Sequence, residues 1–276
     1  MRSAERHFTA LPGFRFTLGY TMFYLGVIVV IPMAALALKV LELSPVEFFR
    51  LVSTRRATAA LQLTFGASFV AAFINAVFGT LLAWVLVRYE FPGRRWVDAQ
   101  VDFPFALPTA VAGLTLASLF AENGWLGRFL VPLGFHGAFT RAGVVIALTF
   151  VGLPFMVRTL QPMLENFERD VEEAAAILGA SRLRTFLTII APTLFPGVLT
   201  GFTLAFARAV GEYGSIVFIS GNLPFRTEIA PFLVVIRLEE YDYNGATAIA
   251  VLLLVVSFLI LAGINKLQLW ANRFNR

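Results

Sequence analysis

A chain of 276 residues that is 58% hydrophobic and only 14% charged is too apolar for a soluble globular protein. Its net charge of +5 does not point to nucleic acid, because the basic residues do not cluster with interleaved aromatics on a soluble domain. Cysteine is absent, which excludes a disulfide framework, a haem attachment or a thiolate metal site.

Six apolar runs fall at about 17–38, 62–87, 100–120, 143–160, 193–217 and 245–266. A bilayer core of roughly 30 Å needs about 20 helical residues, so the expected fold is all-α and polytopic with about six transmembrane helices. The runs are too long for barrel strands and lack two-residue alternation. The first run follows arginines and precedes Ala35-Leu36-Ala37, as a signal peptide would. It exceeds a usual signal core, however, and its removal would leave an odd number of spans, so it is read as retained. Pro32, Pro108 and Pro154 fall inside runs, and Pro108 is expected to kink the third. Ala110, Ala112, Gly113 and Ala117 allow close helix approach. With no repeat and no composition break, residues 1–276 read as a single transmembrane domain.

Charge sets the expected orientation. With the N-terminus inside, the inner segments hold 13 basic residues: Arg2, Arg6, Arg15, Arg88, Arg94, Arg95, Arg158, Arg169, Arg182, Arg184, Lys266, Arg273 and Arg276. The outer segments hold 8: Lys39, Arg50, Arg55, Arg56, Arg128, Arg141, Arg226 and Arg237. Both termini are therefore expected in the cytoplasm, although the first outer loop works against the bias.

Between the fourth and fifth runs lies a polar stretch, 168–192. Val171, Ala174, Ala175 and Leu178 recur at helical spacing, as do Leu183, Phe186, Leu187 and Ile190 after a glycine. Gly179 suits a left-handed helix end and Ser181 an N-cap, so the stretch reads as helix, turn, helix on the cytoplasmic side. By itself this describes an amphipathic connector at the lipid interface. No phosphate-cradling Gly-Lys-Ser/Thr loop occurs in the chain, so a nucleotide motor would belong to another subunit.

Glu173-Ala174-Ala175, then Gly179, Phe186, Ile189 and Pro192, resemble the EAA loop of bacterial ABC importer permeases, with Ala191 where the pattern usually has Leu. The resemblance implies the type I permease fold. It also implies that Glu173, Ala174, Ala175, Gly179 and Pro192 form the coupling region seated in a cleft of an ATPase subunit. Gly179 would let the backbones approach, and the alanines would leave room for the partner.

Further stretches are similar to the sulfate/thiosulfate permeases: 88–94, 102–116, 154–162, Gly211-Glu212-Tyr213-Gly214 and 218–222. Arg237-Leu238-Glu239-Glu240-Tyr241-Asp242-Tyr243 is similar to the T-type member of their two-permease pair. Molybdate and tungstate permeases share the proline-rich third span and the Gly-Glu motif and are the alternative. The resemblance implies a second, related permease, two copies of an ATPase carrying ATP and Mg, and a periplasmic sulfate-binding protein. It also implies a bacterial-type inner membrane and no cofactor in this chain. Segments 121–141 and 220–244 are the available docking surface for the binding protein.

Arg208 and Glu212 stand four apart in the fifth run and are expected on one helix face. Such groups in an apolar run pair with each other or face a pathway. They are either a pair locking the bundle or, through Arg208, a source of positive potential for a crossing oxyanion. Asn75 is expected to bond a neighbouring helix, and Asp102 to be a solvated helix end. His7 and His136 lack partners at metal-ligand spacing, and no catalytic constellation can be assembled. A stand-alone secondary transporter would have only the Arg208–Glu212 pair for a coupling ion. An intramembrane enzyme lacks catalytic groups.

Overall fold

The computed structural model describes residues 14–274. His7, Arg2, Arg6 and Arg276 lie outside them. The described residues form helices and turns with no strand. The contacts divide into two compact units, 1–50 and 51–276.

In the first unit, α1 (Phe14–Leu25) continues through a π turn (Gly26–Val30) into α2 (Ile31–Leu41), and α3 (Pro45–Val52) begins. The run Phe16–Leu41 is apolar enough to cross a membrane, and none of it is buried within the protein.

In the second unit, α4 (Arg55–Arg88) is the longest helix, with 34 residues. At 1.5 Å per residue it reaches about 50 Å, beyond the roughly 30 Å hydrocarbon layer, so its terminal arginines stand outside that layer. Short helices α5 (Arg94–Val101), α6 (Phe103–Ala106), α7 (Thr109–Phe120) and α8 (Gly127–Leu130) lead to α9 (Arg141–Glu165). After α10 (Arg169–Ile177) and α11 (Arg182–Thr185), a π turn (Phe186–Ile190) enters α12 (Ala191–Val210). The chain closes with α13 (Gly214–Ile219), α14 (Ala230–Glu239) and α15 (Tyr243–Phe274).

Five helical segments are long and apolar enough to cross a membrane: Phe16–Leu41, Arg55–Arg88, Arg141–Glu165, Arg182–Val210 and Tyr243–Gln268, with Thr109–Phe120 a shorter apolar helix. Two expected runs are altered. The third, 100–120, is divided and not merely kinked: α6 ends at Ala106, and Pro108 caps α7 in an extended conformation. Proline disfavours the α region for the residue before it, and Leu107 is accordingly extended (ψ 136°). The fifth, 193–217, stops at Val210 and resumes as α13 after Gly211.

Both π turns end two residues before a proline, Pro32 and Pro192. The proline ring clashes with the carbonyl four residues back and supplies no N–H. The preceding amides, Ile31 and Ala191, instead bond five residues back, to the Gly26 and Phe186 carbonyls.

The centre of the second unit is α4, α9 and α12, packed on one another. One buried cluster joins Ala83 and Leu86 to Met156, Val157, Leu160, Ile190 and Leu194. Another joins Ala67 and Ala71 to Val144, Ala147, Leu148, Ala209 and Ile216. Close packing carries the cohesion here, because lipid is as apolar as the side chains. The α7–α13 pair approaches backbone to backbone: a Cβ on Gly113 would sit 2.2 Å from the Ser215 carbonyl oxygen. A backbone atom cannot swing aside, so Gly113→Ala is expected to displace α13. The expected cost is on the order of 1–3 kcal/mol, read as a lower melting temperature in detergent. Gly66→Ala, with nothing within 4 Å of the added carbon, is the control and should not lower it.

Candidate coupling surface and buried ion pairs

The α10–α11 hairpin forms for local reasons. Asp170 and Glu172 occupy the first turn of α10, where the helix dipole favours negative charge. At its end Gly179 adopts φ +80°, with its N–H bonded to the Ala176 carbonyl and the Ala180 N–H to the Ala175 carbonyl. This is a Schellman closure, which needs a residue at ease in the left-handed region. Ser181 then accepts a hydrogen bond from the Arg184 N–H and starts α11. Turn and cap are where the sequence places them, but a Cβ on Gly179 would meet nothing within 4 Å. The glycine therefore serves backbone conformation, and no other backbone of this chain approaches it.

Glu173 and Ala174 are exposed, and Ala175 faces this chain, only 7% exposed. Ile177 and Leu178 are 85% and 86% exposed, and Leu183 is also bare. Pro192 lies at the start of α12, below the π turn. The hairpin thus presents an apolar tip flanked by Glu173, Arg182 and Arg184.

What ties the hairpin to the bundle is an ion pair that sequence spacing does not reveal. Arg88, at the end of α4, meets Glu172 at 2.5 Å. Its guanidinium lies 5.2 Å from the Trp84 ring centroid and 5.6 Å from that of Phe167. Trp84 in turn meets Phe186 edge-on at 5.7 Å. An arginine between two rings and a carboxylate is held by charge and by stacking together. These contacts join α10 to α4, as α11 and the π turn join it to α12.

At the same end of the bundle, Arg158 of α9 gathers α5 and α6. It bonds Asp98 at 2.7 Å, Asp102 at 2.5 and 2.9 Å, and Gln161 at 2.5 Å. Asp102 is thus an ion-pair partner and not simply a solvated end. At Asp98, partial burial pushes the carboxyl up, but hydrogen bonds from Gln161 and Arg158 outweigh it and hold the group below the ordinary carboxylate range. A depressed folded pKa means that this contribution is fully present above about pH 4 and is lost as pH falls through the folded value. The stability difference between wild type and Asp98→Asn should accordingly be constant from neutral pH to about 4 and shrink below it, as followed by thermal melts.

Deeper in the unit, Arg208 and Glu212 do meet, at 2.5 Å. Arg208 is in the last turn of α12, whereas Glu212 lies beyond the helix end, after Gly211. The two partners are unequal: the Glu212 side chain is 2% exposed and that of Arg208 34%. Glu212 also accepts hydrogen bonds from the Ser215 N–H and hydroxyl, both 2.9 Å, so it closes the turn into α13. Asn75 does not find the expected bond across helices: it is buried, and neither amide atom has a partner among the described residues. A Cβ on Gly152 would lie 2.5 Å from its Nδ2, which shows how closely α9 covers it.

Residues 75–269 match the family model described as the binding-protein-dependent transport system inner membrane component. The chain belongs to that family. This transport component is 50% identical over 275 residues to the sulfate transport system permease protein CysT of Synechococcus elongatus, covering 100% of this chain and 99% of the relative. It is 51% identical over 254 residues to the probable sulfate transport system permease protein of Nephroselmis olivacea, covering 92% and 89%. To CysT of Escherichia coli it is 42% identical over 266 residues, covering 96% and 95%. Among solved structures, a chain of a bacterial alginate ABC transporter, crystallised with an alginate-bound periplasmic protein, superposes with a TM-score of 0.76. The two share 17% identity, and 92% of each chain is covered. A chain of the MetNI methionine ABC transporter gives 0.56 at 19% identity, over 77% of this chain and 94% of that one. The fold is that of ABC importer membrane subunits.

Proposed function

We propose that the chain is the transmembrane permease subunit of an ATP-driven sulfate/thiosulfate importer of the bacterial-type inner membrane, with both termini in the cytoplasm. One observation carries the coupling role: the bare tip at Ile177 and Leu178 stands on a hairpin pinned to α4 through Arg88 and Glu172. Apolar side chains exposed beyond a membrane span favour a protein partner. In this reading the partner is a separate ATPase, present twice and carrying the ATP and Mg, with Glu173, Ala174 and Gly179 at the contact. Ala175 sets the seat of the hairpin, and Pro192 sets the π turn beneath it. The identity of about 50% with chains called sulfate transport permeases supports the cargo.

A second, related permease completes the pathway, and a periplasmic sulfate-binding protein delivers the ion. Movement is by alternating access, in which the ATPase and the loaded binding protein both bind one conformation better than the other. Arg208 supplies positive potential along the route, held in place by Glu212.

Radiolabelled sulfate uptake into proteoliposomes containing the complete transporter tests this. ATP-dependent sulfate uptake that excess molybdate leaves intact is expected. Uptake that persists with the ATPase site inactivated would remove the coupling reading, and selective molybdate uptake would replace the cargo.

A further inference from the structure

At the end of the bundle opposite the hairpin, α4 and α9 both begin with arginine. Neither helix has an acidic residue in its first turn, where the dipole favours one. Arg56 is neutralised by buried Glu228, which it bonds at 2.7 and 2.9 Å. Glu240, at the end of α14, also acts on Arg56 and pairs with Arg237. Among the remaining outer arginines, Arg55, Arg141 and Arg226 are all exposed, and none of the three pairs with a carboxylate among the described residues.

The fold places these three together. The Arg141 Nε donates to the Arg226 carbonyl at 2.9 Å, and the Arg55 guanidinium lies 5.5 Å from the centroid of the Phe225 ring. The loop that carries Phe225 and Arg226 is fixed. The N–H groups of Arg226, Thr227 and Glu228 all bond the Leu223 carbonyl, and the Ala230 N–H donates to Thr64 of α4. Beside it a cleft of about 300 Å³ opens between α4 and α9, lined by Ala59, Gln62, Gly66, Arg141 and Val145 among others. Only its Gln62 and Arg141 offer side-chain hydrogen-bond donors. Orienting Nε toward the Arg226 carbonyl leaves the two terminal nitrogens of Arg141 as a donor fork, suited to a tetrahedral oxyanion.

We propose that this cleft is a reception site for a doubly charged tetrahedral oxyanion, bound by Arg141 and Gln62 under the positive potential of Arg55 and Arg226. The site rests on the importer reading, because the same charge on the cytoplasmic face would meet no incoming ion. It gives a role to Arg55, Arg141 and Arg226, three of the outer basic residues that oppose the usual retention of positive charge inside. Three like charges at one mouth, beside low-dielectric helix walls, raise the local concentration of an anion.

The absence of cysteine permits a direct test. Ala59→Cys, at the rim of the cleft, is assembled with the partner subunits in phosphatidylcholine nanodiscs, and labelling of this chain by a neutral maleimide is timed. Sulfate at about twice its Kd should slow labelling roughly threefold, since the free fraction falls as 1/(1+[L]/Kd). Chloride at equal ionic strength should not. Arg141→Gln should abolish protection and Arg141→Lys should restore part of it. Equal labelling with and without sulfate overturns the site, as does protection that survives Arg141→Gln. Protection by phosphatidylglycerol in place of sulfate assigns the arginines to a lipid headgroup and overturns it too, and protection only by the ion-free binding protein makes them a docking patch. Sulfate uptake by the wild-type transporter, measured in parallel, keeps the two readings apart. Wild-type uptake without protection of Ala59→Cys sinks the site alone, whereas protection without any wild-type uptake sinks the importer reading.

Discussion

Leu178→Asp is expected to abolish recovery of the ATPase with this chain from detergent, and sulfate uptake should fall with it. The chain itself should be unaffected, because the side chain is 86% exposed and sits at the C-cap of α10. Surface substitutions of this kind stay within about 0.5 kcal/mol of stability. At the centre of a protein contact the same change leaves an unpaired charge in a desolvated pocket, which costs at least about 2 kcal/mol, some 30-fold in affinity. Circular dichroism and melting of the permease should match wild type while co-purification fails. An ATPase that stays bound at wild-type stoichiometry removes the apolar tip from the contact.

The second large effect is at Glu212. Glu212→Ala removes one partner of a pair whose carboxylate is buried and uncaps the turn into α13. Breaking a buried pair costs about 3–5 kcal/mol, but the partly exposed Arg208 regains some hydration, so about 2–3 kcal/mol is expected. Glu212→Gln keeps an acceptor for Ser215 and should lose about half as much. The double variant Arg208→Gln/Glu212→Gln separates the two roles of Arg208, because neutralising both partners leaves no unpaired charge. If the pair only locks the bundle, stability and uptake return together. If Arg208 serves the ion's route, stability returns and uptake stays lost, as in Arg208→Gln alone, which should keep its ATPase.

The hairpin is legible because its signals are local: a glycine for positive φ and a serine to cap the next helix, with one residue, Ala180, between them. The facing of α10 was less so. Val171, Ala174, Ala175 and Leu178 look like one stripe, yet Leu178 is where the chain leaves the helix, and it points away while Ala175 points in. Arg88–Glu172 and Arg56–Glu228 join residues 84 and 172 positions apart, and no period in a single sequence reports that. The long apolar runs were visible from composition alone. Their interruptions at Pro108 and Gly211 are harder to see, because apolar residues resume on the far side of each break and composition does not report the backbone between them. The bond across helices expected of Asn75 fails because whether an amide finds a partner depends on what stands opposite it, here Gly152, which has no side chain to offer.

The buried side chain of Met156 has a consequence of a different kind. A Cβ on Gly79 of α4 would lie 2.7 Å from its Cγ, and one on Gly201 of α12 would lie 2.6 Å from its Sδ. Two helices thus lean on one thioether from opposite sides, and the unbranched chain can yield to either but has one set of rotamers with which to do so. Volume added on α4 uses up the slack that α12 relies on. The penalties of the two alanine substitutions are therefore not independent, and the helices share a thermodynamic linkage that no hydrogen bond between them records.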